Sequence, residues 1–482
     1  MGTRCRLDTA DGEHGGAFLL PLSYTEYISN KLVRVSPTGF DPPALHEGLF
    51  PHQRALVQWA IRRGRCAVFA DTGLGKTRIQ LEWAARVHEH TGRDVLILAP
   101  LAVAMQTADE GAALGVPVAV CRDQSDVRTG VNITNYERLH KFSASHFGAV
   151  VLDESSCIKH HDTRTLKMLL DAFVDTPFKL CATATPAPND WTELGTHAEF
   201  LGICTRTEML SEFFVHDGGE TQTWRLKGHA QLEFWRWVSS WAALVRNPSD
   251  LGFDGSQYVL PPLNVHEHIT EADHEDAQDA GLLFMVQAST LQERRNARRA
   301  SIDHRAGLCA EMVNADNEPW IIWCDLNAEA DALKALIPGA VEVRGPDTIE
   351  DKEARLRDFA DGRTRVLITK PSIAGFGLNW QHCANVAFVG VTDSWESYYQ
   401  AVRRCWRFGQ KRPVNVHIYA SELEGAVVAN LKRKESDAQA MSEALSAETR
   451  DAMIEAVIGQ KRTVNSYTPQ TKLTIPSWLT TE

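Results

Sequence analysis

The sequence predicts an α/β protein: two parallel-sheet domains in tandem, with a helical insertion between them and a C-terminal helix. Three observations predict it. Short apolar runs alternate with longer stretches of helical spacing in two separate blocks, the pattern of parallel sheets wrapped by helices. The 482 residues amount to about three domain-sized units at roughly 150 residues each. Hydrophobic residues make up 44% and charged residues 23%, globular usage that excludes a disordered or fibrous chain.

Taken in order, residues 1–44 form an N-terminal segment and residues 45–205 the first domain. Its buried strands are expected at Cys66–Ala70, Val95–Ala99, Val118–Cys121, Asn132–Thr134, Ala149–Leu152 and Lys179–Thr183. Residues 206–259 read as a helical, aromatic-rich insertion with Trp224, Trp235, Trp237 and Trp241, closed by the turn at Leu260-Pro261-Pro262. The second domain, 260–421, has strands expected at Trp320–Cys324, Val341–Arg344, Arg365–Thr369, Val386–Val389 and Val414–Tyr419. Residues 422–482 read as one long charged helix from Glu422 to about Gln460, then a polar tail with Pro469 and Pro476. No internal repeat or low-complexity tract is present.

Several classes are excluded. The longest strongly apolar stretch, Val95 to Met105, is broken by Pro100 and falls well short of the ~20 residues of a membrane span. Arg4 and Arg6 are followed by Asp8, Asp11 and Glu13 before the apolar Phe18–Leu20, which is not a signal-peptide pattern. Ten cysteines lie scattered without a C-x-x-C pair, arguing against a zinc ribbon or a disulfide framework. A reducing, cytoplasmic compartment fits, and the economy of the chain points to a bacterial or phage-infected cell. The net charge of −12 excludes a basic coat protein but not a local basic groove.

Phe69-Ala-Asp-Thr-Gly-Leu-Gly-Lys-Thr77 follows an apolar strand and opens a helix, the context that a phosphate-binding loop requires. Across Thr72, Gly73, Leu74 and Gly75 the backbone can curl its N–H groups toward phosphate oxygens, and the helix N-terminus adds partial positive charge. Lys76 is then placed on the β- and γ-phosphates of a nucleotide and Thr77 on Mg²⁺. The first glycine of G-x-x-x-x-G-K-[ST] is Ala70 here. A glycine turn with an exposed lysine is the plainer alternative, and the strand before and helix after weigh against it.

About 75 residues further on, the run Phe147–Leu152 ends in Asp153 and Glu154. A strand that stops at two carboxylates sets them at the carboxyl edge of a sheet, where open α/β folds bind ligands. Asp153 is the candidate Mg²⁺ ligand and Glu154 the candidate base for the attacking water. Thr183 and Thr185 end the next strand, either coupling the two domains or merely capping the strand.

At this point the chain resembles helicase superfamily two, and within it the Swi/Snf-like DNA translocases, over most of Leu45 to Tyr419. Leu49-Phe-Pro-His-Gln53 is similar to the adenine-recognition motif, with Gln53 as the base reader. Ala99-Pro-Leu-Ala-Val-Ala-Met-Gln106 resembles motif Ia and Ile133-Thr-Asn-Tyr-Glu137 the strand motif after it. Leu152-Asp-Glu-Ser-Ser-Cys-Ile-Lys159 resembles motif II, and Ala182-Thr-Ala-Thr-Pro186 motif III. In the second block Lys370-Pro-Ser-Ile-Ala-Gly-Phe-Gly-Leu-Asn379 resembles motif V. Gln400-Ala-Val-Arg-Arg-Cys-Trp-Arg-Phe-Gly-Gln410 resembles motif VI, whose Arg-x-Gly-Gln ending is characteristic of this branch. The phosphate loop is one residue shorter than is usual in the branch, and motif II reads Asp-Glu-Ser-Ser rather than Asp-Glu-Ala-His; neither departure removes a phosphate or metal ligand.

The resemblance implies two RecA-like lobes with ATP and Mg²⁺ between them and nucleic acid across both. It implies that Arg404 and Arg407 are arginine fingers, a role worth ~10³–10⁵ in rate in known NTPases, with Gln400 on nucleotide or water. Gly375 and Gly377 would let backbone approach nucleic acid or nucleotide closely, or serve only a tight turn. Arg403 and Lys411 are candidates for nucleic-acid phosphate. The cluster Arg294, Arg295, Arg298 and Arg299 reads equally as a phosphate-contacting stripe or a solvated helix face. The tryptophans of the insertion read as core before they read as base-stacking groups, and His266 and His268 lack the partners of a metal site.

The expected function is an ATP-dependent translocase on nucleic acid, with duplex DNA as partner. The rivals are a strand-separating DNA or RNA helicase and a nucleotide-gated clamp without productive hydrolysis. The C-terminal helix is a candidate docking point for a protein partner, and no membrane is involved.

Overall fold

The computed structural model describes residues 38–100, 103–188, 190–216, 224–270, 296, 298–374, 379–391, 394–422, 429–434, 450–451, 454–455 and 457–459. The first lobe runs α1 (Pro51–Arg63), β1 (Arg65–Ala70), α2 (Lys76–Thr91), β2 (Val95–Ala99), α3 (Ala104–Ala113), β3 (Val118–Val120), β4 (Val131–Asn135) and β5 (Ala149–Asp153). It continues through α4 (Arg164–Ala172), β6 (Phe178–Thr183), α5 (Leu194–Leu201), α6 (Arg206–Phe213), β7 (Phe214–His216), β8 (Trp224–Leu226), α7 (Gln231–Trp241) and β9 (Ala242–Val245). Seven of these strands form one sheet in the order β3-β4-β2-β5-β6-β1-β9, with every pairing parallel.

The second lobe runs β10 (Leu263–Thr270), α8 (Ile302–Asn314), β11 (Trp320–Trp323), α9 (Asn327–Leu336), β12 (Val341–Glu342) and α10 (Ile349–Ala360). It ends with β13 (Val366–Thr369), the single turn α11 (Pro371–Ala374), β14 (Asn385–Phe388), α12 (Trp395–Val402) and β15 (Val414–Ser421). Its six strands are again all parallel, in the order β10-β15-β14-β11-β13-β12. These are the two tandem RecA-like α/β domains that the sequence predicts.

The reason lies in the strands. Ile321 and Trp323 of β11 pack into one apolar cluster, while Trp320 and Ile322 pack into another on the opposite face. Side chains alternate across a sheet, so a strand covered by helices on both sides must be apolar throughout. The run Trp-Ile-Ile-Trp satisfies that.

Residues 206–259 depart from a purely helical insertion. β7 and β8 form an antiparallel hairpin, and β9 joins the first sheet beside β1, with Ala67–Ala70 opposite Ala242–Val245. A four-residue apolar run after a helix has no period to distinguish it from one more helical turn. Trp235, Trp237 and Trp241 are buried and pack edge-on against Trp191, Phe234 and one another, so they are core. Trp224 lies on the hairpin against the ring of His216, centroids 3.7 Å apart.

The expected C-terminal helix falls largely outside the described residues. Residues 429–434 are helical there, as are 450–451, 454–455 and 457–458. Leu431 packs into the second lobe's core and Val457 into the first's. No helix among the described residues is long and apolar enough to cross a membrane.

Arg294 and Arg295 also lie outside the described residues. Arg298 is buried, donating to Asp325 Oδ2 at 2.5 Å and to the Val391 carbonyl at 2.5 Å, so it belongs to no solvent-facing stripe. In the first turn of α8, the fully buried Arg305 donates to Glu329 Oε1 at 3.0 and 3.1 Å, while Glu329 Oε2 accepts the N–H groups of Asp325 and Leu326. Removing one partner of such a pair strands a buried charge. Glu329→Ala is therefore expected to destabilise the second lobe by roughly 3–5 kcal/mol, read as a lowered midpoint of urea unfolding; an unchanged midpoint would contradict it.

Candidate active site

Three adjacent strands build the site. β6 lies between β1 and β5, pairing Phe69 with Thr183 on one side and Asp153 with Ala182 on the other. Their carboxyl ends thus bring the phosphate loop, Thr183 and the acidic pair to one edge. The loop is shaped by Gly73 and Gly75, whose φ values of +89° and +81° suit residues without a Cβ. A Cβ on Gly75 would also overlap the Gln53 amide. Gln53 Nε2 donates to the Leu74 carbonyl at 3.1 Å, and its Oε1 accepts the Phe50 N–H at 3.1 Å. The 16-residue α2 then starts at Lys76 with no side-chain cap and no acid in its first turn. Its leading N–H groups are left for an anion.

Lys76 Nζ donates to the Ala70 carbonyl at 2.9 Å. Burial lowers its pKa, and Glu154, Asp71 and Asp153 oppose that shift, which places all three carboxylates within electrostatic reach of the amine. Asp153 accepts from Gln80 Nε2 at 2.6 Å, and its carboxyl is held above the usual range by burial first and by Glu154 second. Asp153 and Glu154 are buried side by side and repel one another, an environment that suits a divalent cation. Among the described residues no three His, Cys, Asp or Glu side chains form a metal cage. Mg²⁺ takes one or two protein ligands and completes its shell with phosphate and water; Asp153 and Thr77 are the candidates for that role.

Glu154 is the only non-glycine residue with positive φ (+51°) among the described residues. Its Oε2 accepts from Thr183 Oγ1 at 3.2 Å, and that hydroxyl accepts the Thr185 N–H at 3.2 Å. The next residue, Ser155, lies 3.1 Å from Nε2 of the buried His197. Burial holds the His197 pKa down to about 4, so the ring is neutral.

The second lobe reaches this edge through α12. Gln400 Nε2 donates to Thr185 Oγ1 at 3.3 Å, and its Oε1 accepts from Arg404 Nη2 at 3.0 Å. Glu396 accepts from Thr185 Oγ1 at 3.4 Å and pairs with Lys159. Asp71, in the phosphate loop, pairs with Arg403 and accepts from the Tyr399 hydroxyl at 2.8 Å. Arg404 is lowered to about 10 by burial, which Glu154 and Asp153 oppose; Arg407 is lowered by burial, which Glu110 and Glu154 oppose. Both guanidinium groups therefore lie within electrostatic reach of acids of the first lobe.

Lys76, Asp153, Glu154, Thr183, Thr185, Gln400, Arg404 and Arg407 thus converge. Arg403 is buried in the same contact between lobes. Gly375 and Gly377 lie outside the described residues. Asp71, Gln80, Tyr399, Glu396 and His197 also take part without having been singled out from sequence. Gln80 had a signal, one helical turn after Lys76 on the same face; His197 had none.

Because Asp71→Ala leaves the Arg403 guanidinium without its carboxylate, it is expected to loosen the two lobes in the ligand-free protein. Fluorescence energy transfer between labels on the two lobes measures this, and unchanged efficiency would rule out the pair as a latch.

Two families of known proteins match the chain. The SNF2-related domain matches residues 52–214, and the helicase conserved C-terminal domain matches residues 304–409. No curated protein matches it.

Proposed function

Because the chain belongs to the Snf2-like helicases of superfamily two, we propose that it hydrolyses ATP between its lobes to move along duplex DNA. The observation that carries this reading is the hydrogen-bonded path Glu154–Thr183–Thr185–Gln400–Arg404, which runs from the acidic pair of one lobe to an arginine of the other. A change at the γ-phosphate is felt at Glu154 and Arg404 alike, and the path gives it a route into relative motion of the lobes.

In this mechanism Gln53 reads the base, and the amides of Thr72 to Gly75 with Lys76 hold the β- and γ-phosphates. Mg²⁺, held by Thr77 and Asp153, supplies charge neutralisation at the phosphates when bound. Glu154 orients the attacking water and takes its proton. Arg404 and Arg407 balance the charge that builds on the transferred group, and Gln400 keeps Arg404 aimed. Arg403 serves coupling, since its guanidinium is committed to Asp71. Loss of the γ-phosphate then removes what the arginines hold, and the lobes part. The preference for duplex DNA rests on the SNF2-related match. A protein partner would dock on the C-terminal segment through residues other than Leu431 and Val457, which serve the two cores.

Steady-state ATPase rates without nucleic acid, then with single-stranded DNA, blunt duplex DNA and RNA, test the proposal, with Lys76→Ala as the blank. Strong stimulation by duplex without strand displacement is the expected result. Stimulation only by single strands or RNA would replace it with an unwinding helicase, and no turnover would leave a clamp. Glu154→Gln is expected to bind ATP normally and turn over at least about 10²-fold more slowly; wild-type kcat would remove Glu154 as the base. Arg407→Ala is expected to lower kcat far more than ATP affinity, by about 10³. An effect confined to the Kd for DNA would reassign that arginine to the nucleic-acid backbone.

A further inference from the structure

Lys76 and Thr77 begin α2, and Gln80 follows three positions after Thr77, on the same side of the helix. Gln80 is a polar residue in an apolar place. It is 1% exposed and lies in a buried run with Ile79, Leu81 and Trp83. A polar group so placed has to be satisfied from within the protein. Its Nε2 donates to Oδ1 of Asp153 at 2.6 Å, bridging the helix to the end of β5. An amide oxygen in that place would face an oxygen of the carboxylate, so the partner fixes which way the amide points.

The main chain of Asp153 is held as well, because the Tyr136 hydroxyl donates to its carbonyl at 2.7 Å. Tyr136 thus fixes where the residue stands, and Gln80 fixes how its carboxylate is turned. Thr77 and Gln80 belong to one rigid helix, so a single element positions the hydroxyl proposed for the cation and orients the carboxylate proposed for it.

The two oxygens of Asp153 are therefore not equivalent. A carboxylate free at both oxygens takes a cation in its fork, whereas one whose Oδ1 accepts a hydrogen bond meets the cation through Oδ2. That difference separates the two common hard cations. Ca²⁺ tolerates irregular, crowded shells and accepts carboxylates in bidentate fashion. Mg²⁺ is smaller and demands near-octahedral geometry, and the bite of a chelating carboxylate is too narrow for the right angles of an octahedron.

We propose that Gln80 is a positioning residue that sets the metal preference of this site, presenting one oxygen of Asp153 to the cation and so favouring Mg²⁺ over Ca²⁺. The inference rests on the ATP-hydrolysing function proposed above and deepens it from which residues hold the cation to why they hold that one. A neutral amide does this without adding charge beside Lys76, Asp153 and Glu154, and it does not titrate.

The test reads binding rather than turnover. The Kd of a fluorescent, non-hydrolysable ATP analogue is measured in EDTA, in Mg²⁺ and in Ca²⁺, and the ratio of the EDTA value to each of the others gives the gain from that cation. Wild-type protein is expected to gain more from Mg²⁺ than from Ca²⁺. Gln80→Met keeps the length of the side chain and removes the donor. It is expected to lose about tenfold of the Mg²⁺ gain, the scale of a lost partner behind a metal ligand. Its Ca²⁺ gain should be kept or increased, and its Kd in EDTA should stay within about twofold of wild type. Gln80→Asn, one methylene too short to reach Asp153, carries the same expectation and is measured beside it, so that a packing defect peculiar to one side chain does not decide the result. An unchanged Mg²⁺ gain would overturn the proposal. Equal losses for Mg²⁺ and Ca²⁺ would also overturn it, since Gln80 would then support the carboxylate without influencing which cation it takes. Wild-type protein that binds the analogue equally in all three conditions, or not at all, would overturn the placement of the cation and the parent reading with it.

Discussion

The contact between the lobes depends on one face of the helix Trp395–Val402 and its continuation. Glu396, Tyr399, Gln400 and Arg403 are spaced so that they fall on a single face. Each meets the first lobe: Glu396 at Lys159 and Thr185, Gln400 at Thr185, and Tyr399 and Arg403 at Asp71. The contact is made of directed polar bonds. Burial alone pushes the Asp71 carboxyl up, yet the Arg403 charge and the hydrogen bonds from Arg403, Tyr399 and Thr72 bring it below its ordinary value. A charge pair held this way is costly to break from one side, because the remaining partner stays buried. It favours one docking geometry rather than a continuum of them.

That geometry explains why strain is tolerated at Glu154. A non-glycine residue in the left-handed region costs about 1–3 kcal/mol and persists only where its surroundings fix it. Here Thr183 holds the carboxylate, and His197 meets the next side chain from the buried helix Leu194–Leu201. A neutral imidazole contributes a hydrogen bond there without adding a buried charge. The turn aims Glu154 away from the strand direction, and the same hydroxyl that steadies it accepts the backbone N–H of Thr185, the residue that α12 grips. The Glu154 turn and the docking of the lobes are thus tied through one pair of threonines, Thr183 and Thr185.

Most of this fold is legible in the sequence because a parallel strand buried on both faces is a continuous apolar run, and eleven such runs stand out between helical stretches. The edges are harder to read. β9 is four residues long and follows a helix directly, and β10 carries exposed polar residues on much of its length. In the site, the phosphate loop and the acidic pair are legible because their chemistry is local: each needs a few residues at fixed spacing after a strand. The partners of those residues are not. Arg403 meets Asp71 across 332 positions, and nothing near either residue marks the other. A basic residue in motif VI reads equally as a ligand for phosphate or for a carboxylate, and only the fold decides.

The alanine at the head of the phosphate loop shows how a departure from a motif can be harmless. Ala70 ends β1, is fully buried, and pairs with Val245 of β9. Its φ is not positive, and it serves the loop through its backbone, whose carbonyl accepts from Lys76. A Cβ in that position meets no demand for left-handed backbone, so glycine brings no conformational advantage there. The demand falls on Gly73 and Gly75, at +89° and +81°, where one lies against Phe408 of the second lobe and the other against Gln53. Asp71, immediately after the alanine, accepts the Thr72 N–H of the loop at 2.6 Å and also reaches Arg403 and Tyr399 of the second lobe. The loop therefore keeps the two glycines that its curvature and its close neighbours require, and uses the positions before them to fasten the strand on one side and the opposite lobe on the other.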